Sequence, residues 1–372
     1  MFFVTYANLW SFAVFLPLTY IILIVSTIIY ILPISSNALK TSSSKIKSDF
    51  YWLNNNDFFY LVLTFAGILI SLFMLWTAPI TSAWFGHVII TAFQTKISFL
   101  IIVTFLLVLL TILNSHYLTS REVFDFVVTL LSFVYWLLLL FYSNSLFTSI
   151  FIIEVLSALL FLLLVTSTFS SAYYYKNTNL NFGHSFQNST PYTYLQSILY
   201  FFWVSLISSL NLFLFTLLLY TQLLTFDWFL IEHTFIYFVN ATGTKDVLTL
   251  GLTWFVLMSC IFLKCGIAPL YIWKPTFFKG IPFYTLFFYV CFFYFLLFLF
   301  IINLITSYFS ELYYYYVFIS LIFITSGLIT LLFIICESYY LKSFIALSSI
   351  LNSLFVILAL TAVRSVNLLF FL

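Results

Sequence analysis

Residues 261–282 read IFLKCGIAPLYIWKPTFFKGIP, and Lys264 stands in a run that is otherwise almost wholly apolar. The nearest charges along the chain are Lys274 downstream and Asp246 upstream. A charged side chain among apolar residues costs free energy unless a partner or water meets it. The surroundings of this lysine therefore bear directly on what the chain folds into.

The rest of the chain shares this apolar character. Of its 372 residues, 65% are hydrophobic and 6% are charged, whereas soluble domains carry about 25% charged residues. So few charges cannot cover a water-soluble fold of this size, and the composition predicts a polytopic membrane protein in contact with lipid. The net charge of +2 is too small to indicate a nucleic-acid partner.

Long apolar runs divide the chain into about ten segments that could cross a bilayer as helices. The runs do not alternate as barrel strands do, so we expect an all-α fold. The predicted spans cover residues 11–32, 58–78, 97–113, 124–142, 145–168, 197–224, 247–270, 281–306, 313–336 and 344–362.

Basic residues are distributed unequally between the two sets of loops that these spans create. The loops after odd-numbered spans contain eight of them, against three in the other set with the C-terminal tail. The eight are Lys40, Lys45, Lys47, Arg121, Lys176, Lys274, Lys279 and Lys342. By the positive-inside rule, both termini lie on the outer side of the membrane.

The aromatic composition indicates a compartment. The chain contains 51 Phe and 27 Tyr, a bias that suits an AT-rich genome such as a mitochondrial one. We therefore expect the mitochondrial inner membrane as the location, with both termini towards the intermembrane space.

Two charged side chains lie well inside predicted spans, Glu154 in the fifth and Lys264 in the seventh. Each costs roughly 2.5–3.5 kcal/mol to insert, so we expect the two to meet and offset each other. If Lys274 marks the interface, ten residues of helix would hold Lys264 about 15 Å from it. The alternatives are that Lys264 snorkels to an interface, or that Glu154 is a protonated structural acid.

A helix break is predicted next to Lys264. Pro269 cannot donate a hydrogen bond to the carbonyl of Cys265, and its ring disrupts the helix there. Gly266 loosens the same turn. Because broken helices near the midplane are a feature of ion-transport folds, a lysine beside the break is a candidate proton carrier.

The stretch KCGIAPLYIWKPTFFKGIP (264–282) resembles a long signature, K-x-x-x-x-P-[FL]-H-x-W-x-P-x-x-x-x-G-x-P, of the antiporter-like subunits of respiratory complex I. The family's histidine is Tyr271 here. The positions that keep their spacing are Lys264, Pro269, Trp273, Pro275, Gly280 and Pro282.

Three shorter blocks extend the resemblance over roughly residues 145–362. IEVLSALLFLL (153–163) is similar to the block around the family's fifth-helix glutamate, and ATGT (241–244) is similar to a T-G-S element before its seventh helix. YLKSFIALSSI (340–350) is similar to the block that opens its tenth helix.

The resemblance implies an antiporter-like fold with one complete five-helix repeat and a partial second. The implied domains are three N-terminal spans in 1–113, the first repeat in 124–306 and the partial second repeat in 313–372. It also implies proton translocation through a Glu154–Lys264 ion pair, as part of a complex that couples NADH oxidation by ubiquinone to proton pumping. No cofactor is expected in this chain, because FMN, Fe–S clusters and quinone belong to other subunits.

Two family lysines are replaced. Tyr294 stands thirty residues after Lys264, where the family has a relay lysine, and Tyr200 falls near its sixth-helix lysine. Both tyrosines are candidate relay substitutes, because a hydroxyl can pass hydrogen bonds. A polar path from Lys264 towards Ser348 and Ser349 is expected if the relay works.

Family members of this type have about fourteen helices, so the resemblance implies a subunit that is either C-terminally truncated or split. In a split subunit, a separate chain would supply about four more helices and dock on the eighth to tenth spans. Other membrane-arm subunits of complex I are the further expected partners. Two alternative functions stay open at this point. One is a cation/proton antiporter, stand-alone or multi-subunit, and the other is a purely structural role in complex I.

Overall fold

The computed structural model describes the chain from residue 81 to residue 362 with gaps. The described residues are 81–83, 86–113, 120–177, 190–227, 230–231, 247–281, 283–295, 297–298, 300, 313–335 and 341–362. Spans one and two of the prediction, at 11–32 and 58–78, lie outside these residues, as does the ATGT block.

Helices dominate the described chain, and all of them overlap predicted spans three to ten except the short helix Trp273–Gly280, which lies in the predicted loop between spans seven and eight. They are α1 Ala92–Leu113, α2 Ser120–Tyr142, α3 Leu146–Asn177, α4 Thr190–Leu223, α5 Val247–Cys265, α6 Trp273–Gly280, α7 Phe283–Phe288, a π-helical turn Tyr289–Tyr294, α8 Tyr313–Ile335 and α9 Leu341–Ala362. The prediction of an all-α polytopic membrane protein is confirmed.

Four of the described helices are long and apolar enough to cross a bilayer. They contain the segments Leu146–Val165, Leu195–Leu223, Val317–Ile335 and Leu341–Ala359. The seventh span is shorter than the predicted 247–270, because α5 ends at Cys265.

A small hairpin before α1 was not predicted. Strands β1 (Thr81–Ala83) and β2 (Val88–Ile90) pair antiparallel. Asn144, which follows α2, holds the hairpin next to that helix. Its backbone N–H donates to the His87 carbonyl at 2.8 Å, and its side-chain Nδ2 donates to the Gly86 carbonyl at 2.9 Å. Each strand has only three residues, too few for an alternating pattern to show in the sequence.

The chain divides into two compact units. One comprises Met1–Asn144 with Ala158–Asn179, and the other Ser145–Ser157 with Leu180–Leu372. The first half of α3 thus belongs with α4 to α9, where Leu146 donates its N–H to the Phe226 carbonyl at 2.9 Å. The domain boundaries implied by the resemblance stay a prediction.

Aromatic side chains fill the core of the second unit around the end of α5. Phe201 of α4 stacks on Phe277 of α6 with ring centroids 5.2 Å apart. Phe323 of α8 contacts Phe262 of α5 edge to face at 4.9 Å. Such contacts hold the surrounding helices against the loop that follows α5, and this loop carries the candidate site.

Gly327 allows α8 to approach that loop closely. A Cβ atom at Gly327 would lie 2.7 Å from the Cβ of Ala268 and 3.2 Å from its carbonyl oxygen. Cβ contacts this short do not occur in unstrained structures, so the helix and the loop can only be this close because residue 327 has no side chain.

We therefore expect Gly327→Ala to lower the thermal unfolding midpoint of the detergent-solubilised protein, because the added methyl group overpacks the core at a cost of roughly 1–3 kcal/mol. Gly251→Ala on α5 is the matched control. Its Cβ would have no atom within 4 Å, and alanine is the better helix former by about 1 kcal/mol. Equal midpoints for the two variants would contradict this packing.

Candidate functional site

Glu154 and Lys264 form an ion pair. The Lys264 Nζ donates to the Glu154 Oε1 at 2.7 Å, joining the first half of α3 to the last turn of α5. The Lys264 side chain is 5% exposed and the Glu154 side chain 33%. The lysine is therefore buried against protein, and the interfacial snorkelling considered from the sequence does not occur.

The electrostatic attraction between the two charges is large enough to offset the free-energy cost of placing them in the membrane. Two charges inserted separately cost roughly 5–7 kcal/mol on insertion scales. At the 2.7 Å separation of Nζ and Oε1, their attraction is about 6 kcal/mol for an effective dielectric constant near 20. The two side chains can stay in the membrane as long as they stay together.

A glycine turn ends α5 directly after Lys264. Gly266 has φ +62°, a left-handed conformation that a residue without Cβ adopts at no steric cost. The Ile267 N–H donates to the Phe262 carbonyl at 2.8 Å and the Gly266 N–H to the Leu263 carbonyl at 3.3 Å. This is the Schellman arrangement of helix C-termini. The helix thus ends at Cys265, four residues before the proline that predicted the break.

The chain then turns back, and α6 supplies two side chains that complete the end of α5. The Trp273 Nε1 donates to the Leu263 carbonyl at 3.2 Å. The Lys274 Nζ donates to the Cys265 carbonyl at 3.2 Å. This is the carbonyl for which Pro269 cannot supply a backbone donor. Cations are also favourable at a helix C-terminus, where the carbonyls concentrate negative partial charge.

Lys274 is a second buried lysine. The sequence groups it with the basic loop residues and makes it a candidate marker of the membrane interface, yet the residue is 1% exposed. Because the chain reverses at Gly266, Lys274 returns to the level of Cys265 and does not continue along the axis of α5. Without it, the loops after odd-numbered spans hold seven basic residues against three.

Tyr294 lies beside this second buried lysine. The Lys274 Nζ stands 4.0 Å from the centroid of the Tyr294 ring, in cation–π contact. The buried Tyr294 hydroxyl lies next to Ser353 of α9 without forming a well-aligned hydrogen bond. The polar neighbour on α9 is thus Ser353, about one turn beyond the expected Ser348 and Ser349.

Tyr200 is not a neighbour of Lys274 and Tyr294. It is 43% exposed on α4, among other exposed apolar side chains such as Leu199 and Trp203. Tyr271, at the position of the family's histidine, is 2% exposed. Its buried hydroxyl lies near Thr330 of α8.

Sequence reasoning missed Lys274, although one signal was present. It stands between Pro269 and Pro275 in a segment that has no other charge from 265 to 278. A loop residue facing water would have polar neighbours. A continuous helix over 247–270 leaves Lys274 in the loop beyond its end, so the sequence did not predict its burial.

A helix that breaks beside a buried acid–base pair, within a bundle of membrane-spanning helices, has features of ion-transport membrane proteins. Among solved structures, the chain is similar to one described as "Respiratory complex I from Thermus thermophilus with bound Aureothin", with a TM-score of 0.58 and 16% sequence identity. The similarity covers 92% of this chain and 64% of that chain.

At this identity the similarity shows a shared fold, and the chain spans 64% of the length of that structural relative. No protein-family model matches the sequence, and no curated protein matches it either.

A double-mutant cycle tests the ion pair. Glu154→Gln or Lys264→Met alone should destabilise the protein by about 3 kcal/mol, because each leaves a charge without its partner in apolar surroundings. The combined variant should lose less than the sum of the two, with a coupling of about 1–3 kcal/mol. Unfolding in detergent measures all three.

Lys279→Met, at an exposed position of α6, is the control for removal of a lysine as such. Additive effects of the two pair variants would show that Glu154 and Lys264 do not interact in the folded protein.

Proposed function

We propose that this chain is a membrane-arm subunit of respiratory complex I and that Glu154 and Lys264 translocate protons in it. The observation that carries the proposal is the ion pair at the helix break. The fold shared with a chain of a bacterial complex I and the sequence signature around Lys264 both support it.

The geometry suggests how the pair could move a proton. While Glu154 is in contact, its carboxylate stabilises the Lys264 ammonium. If the carboxylate moves away, the ammonium stands among apolar groups and releases its proton, since desolvation disfavours the charged form. The neutral amine takes up another proton when the carboxylate returns. The energy for this cycle would come from quinone reduction in other subunits.

The more specific parts of the proposal concern the identity and location of the subunit. The wording of the signature is closest to chain 2 of NADH:ubiquinone oxidoreductase, and the composition favours the mitochondrial inner membrane. Both termini would face the intermembrane space. FMN, Fe–S clusters and quinone would be held by the other subunits, and this chain would carry no redox centre.

We propose in addition that a separate chain of about four helices covers α8 and α9. The support for this partner is the broad apolar face that α8 exposes. Its large exposed side chains include Phe318, Leu321, Ile322, Ile329 and Phe333. Cross-linking of the intact complex at Phe318 and Phe333 should capture such a chain, and only lipid at this face would contradict it.

Assembly is tested by isolating the chain from native membranes. A blue-native gel with mass spectrometry should find it in a large assembly with NADH:quinone reductase activity. An antiporter without redox partners would migrate alone or with other transporters, and that result would overturn the proposal.

The role of the pair is tested by Lys264→Met in the assembled complex. We expect proton-coupled quinone reduction to fall about 100-fold, the lower end of what a positioned proton-transfer group contributes. Lys279→Met should leave it unchanged. The readout is proton release per electron in sealed vesicles. If Lys264→Met assembles and pumps as the native protein does, the chain has a structural role.

A further inference from the structure

The protein contains a second buried lysine that the proposed ion pair does not use. Lys274 is 1% exposed, against 6% for Lys264. The two stand on either side of the break, one in the last turn of α5 and the other in the first turn of α6. Lys264 directly precedes Cys265 in the chain, and the Lys274 Nζ donates to the Cys265 carbonyl at 3.2 Å.

The two lysines differ in how their charge is compensated. Lys264 has a carboxylate at 2.7 Å. In the part of the chain that the structure describes, Lys274 has none within 4 Å, and its polar neighbour is the Cys265 carbonyl at 3.2 Å. The face of the Tyr294 ring is the remaining favourable contact. The carbonyl and the ring face stabilise an ammonium, whereas burial without a counter-charge favours the neutral amine.

Space for the Lys274 side chain comes from Gly266. A Cβ atom at residue 266 would lie 2.9 Å from the Cδ of Lys274 and 3.2 Å from its Cβ. The same glycine ends α5 beside Lys264. One turn of the backbone therefore ends the helix that carries the first lysine and admits the stem of the second.

We propose that Lys274 is a second proton-carrying residue, which exchanges a proton with Lys264 across the break and passes it on towards Tyr294 and α9. The inference rests on the proposed function, because it extends the same proton path. Cys265 lies beside Lys274 on the side of Lys264, and Tyr294 lies on the other side. The Tyr294 ring packs against that of Tyr289, with centroids 6.3 Å apart, and its hydroxyl lies near Ser353.

The transfer step balances without any further reagent. The Lys264 ammonium loses one N–H bond when Glu154 releases it, and the neutral Lys274 amine gains one. The carboxylate keeps its charge, and no electron moves. One positive charge thus crosses the Gly266–Pro269 loop, and the two lysines need not be charged at the same time.

A purely structural role for Lys274 predicts different mutant behaviour. As a cap on the Cys265 carbonyl, it would act as Trp273 does on the Leu263 carbonyl, through hydrogen bonding alone. Arginine can keep the hydrogen bond and the aromatic contact, but it does not release its proton in proteins. Glutamine can donate an amide N–H to the carbonyl, but it does not take up and release a proton as an amine does.

The test compares Lys274→Arg, Lys274→Gln and Trp273→Phe in the intact complex. We expect both lysine variants to assemble and to lose proton-coupled quinone reduction about 100-fold. Trp273→Phe removes one capping hydrogen bond and should lower the unfolding temperature while proton release per electron stays native. Lys274→His should retain part of the proton transfer that the arginine and glutamine variants lose, because an imidazole can also take up and release a proton near neutral pH.

Native proton release per electron in assembled Lys274→Arg would overturn the inference. If the arginine does not assemble, native proton release in Lys274→Gln would overturn it equally. Should Lys264→Met pump normally, the proposed function itself fails. Loss in Lys264→Met together with native transfer in the Lys274 variants would remove only the second lysine from the path.

Discussion

The contact between the Lys264 ammonium and the Glu154 carboxylate, at 2.7 Å, is the interaction on which the rest of the site depends. Each charge alone would be unfavourable among the apolar side chains around it. Their pairing fixes the first half of α3 against the end of α5. It also leaves the lysine with one partner whose withdrawal changes the stability of its charge, and this is what a proton-transfer group requires.

The helix break gives this pair its surroundings. If α5 continued past Gly266, Lys264 would have a turn of helix after it and Lys274 would lie further along the membrane normal. The reversal at Gly266 instead returns the chain, and Trp273 and Lys274 cap the exposed carbonyls of α5. The absence of a side chain at Gly327 lets α8 pack closely over the loop. Irregular backbone at membrane depth is tolerated when protein satisfies it in this way.

The sequence predicted those features that depend on local composition. Apolar length located spans three to ten, the cost of isolated charges brought Glu154 and Lys264 together, and Gly266 with Pro269 marked the break. Lys274 could not be placed, because its burial depends on a reversal that brings distant carbonyls to it. The outward position of Tyr200 was also hidden, since α4 is apolar on all sides and its sequence does not indicate which face is buried.

In the proposed proton-transfer cycle, Glu154 separates from Lys264 and returns during turnover. Infrared difference spectroscopy of the complex during NADH oxidation detects this separation, because the carboxylate stretches respond to the loss of an ammonium partner. We expect a carboxylate difference signal that disappears in Glu154→Gln and shifts in Lys264→Met. Identical difference spectra for the native protein and Glu154→Gln would show that the pair is static, and would rule out this cycle.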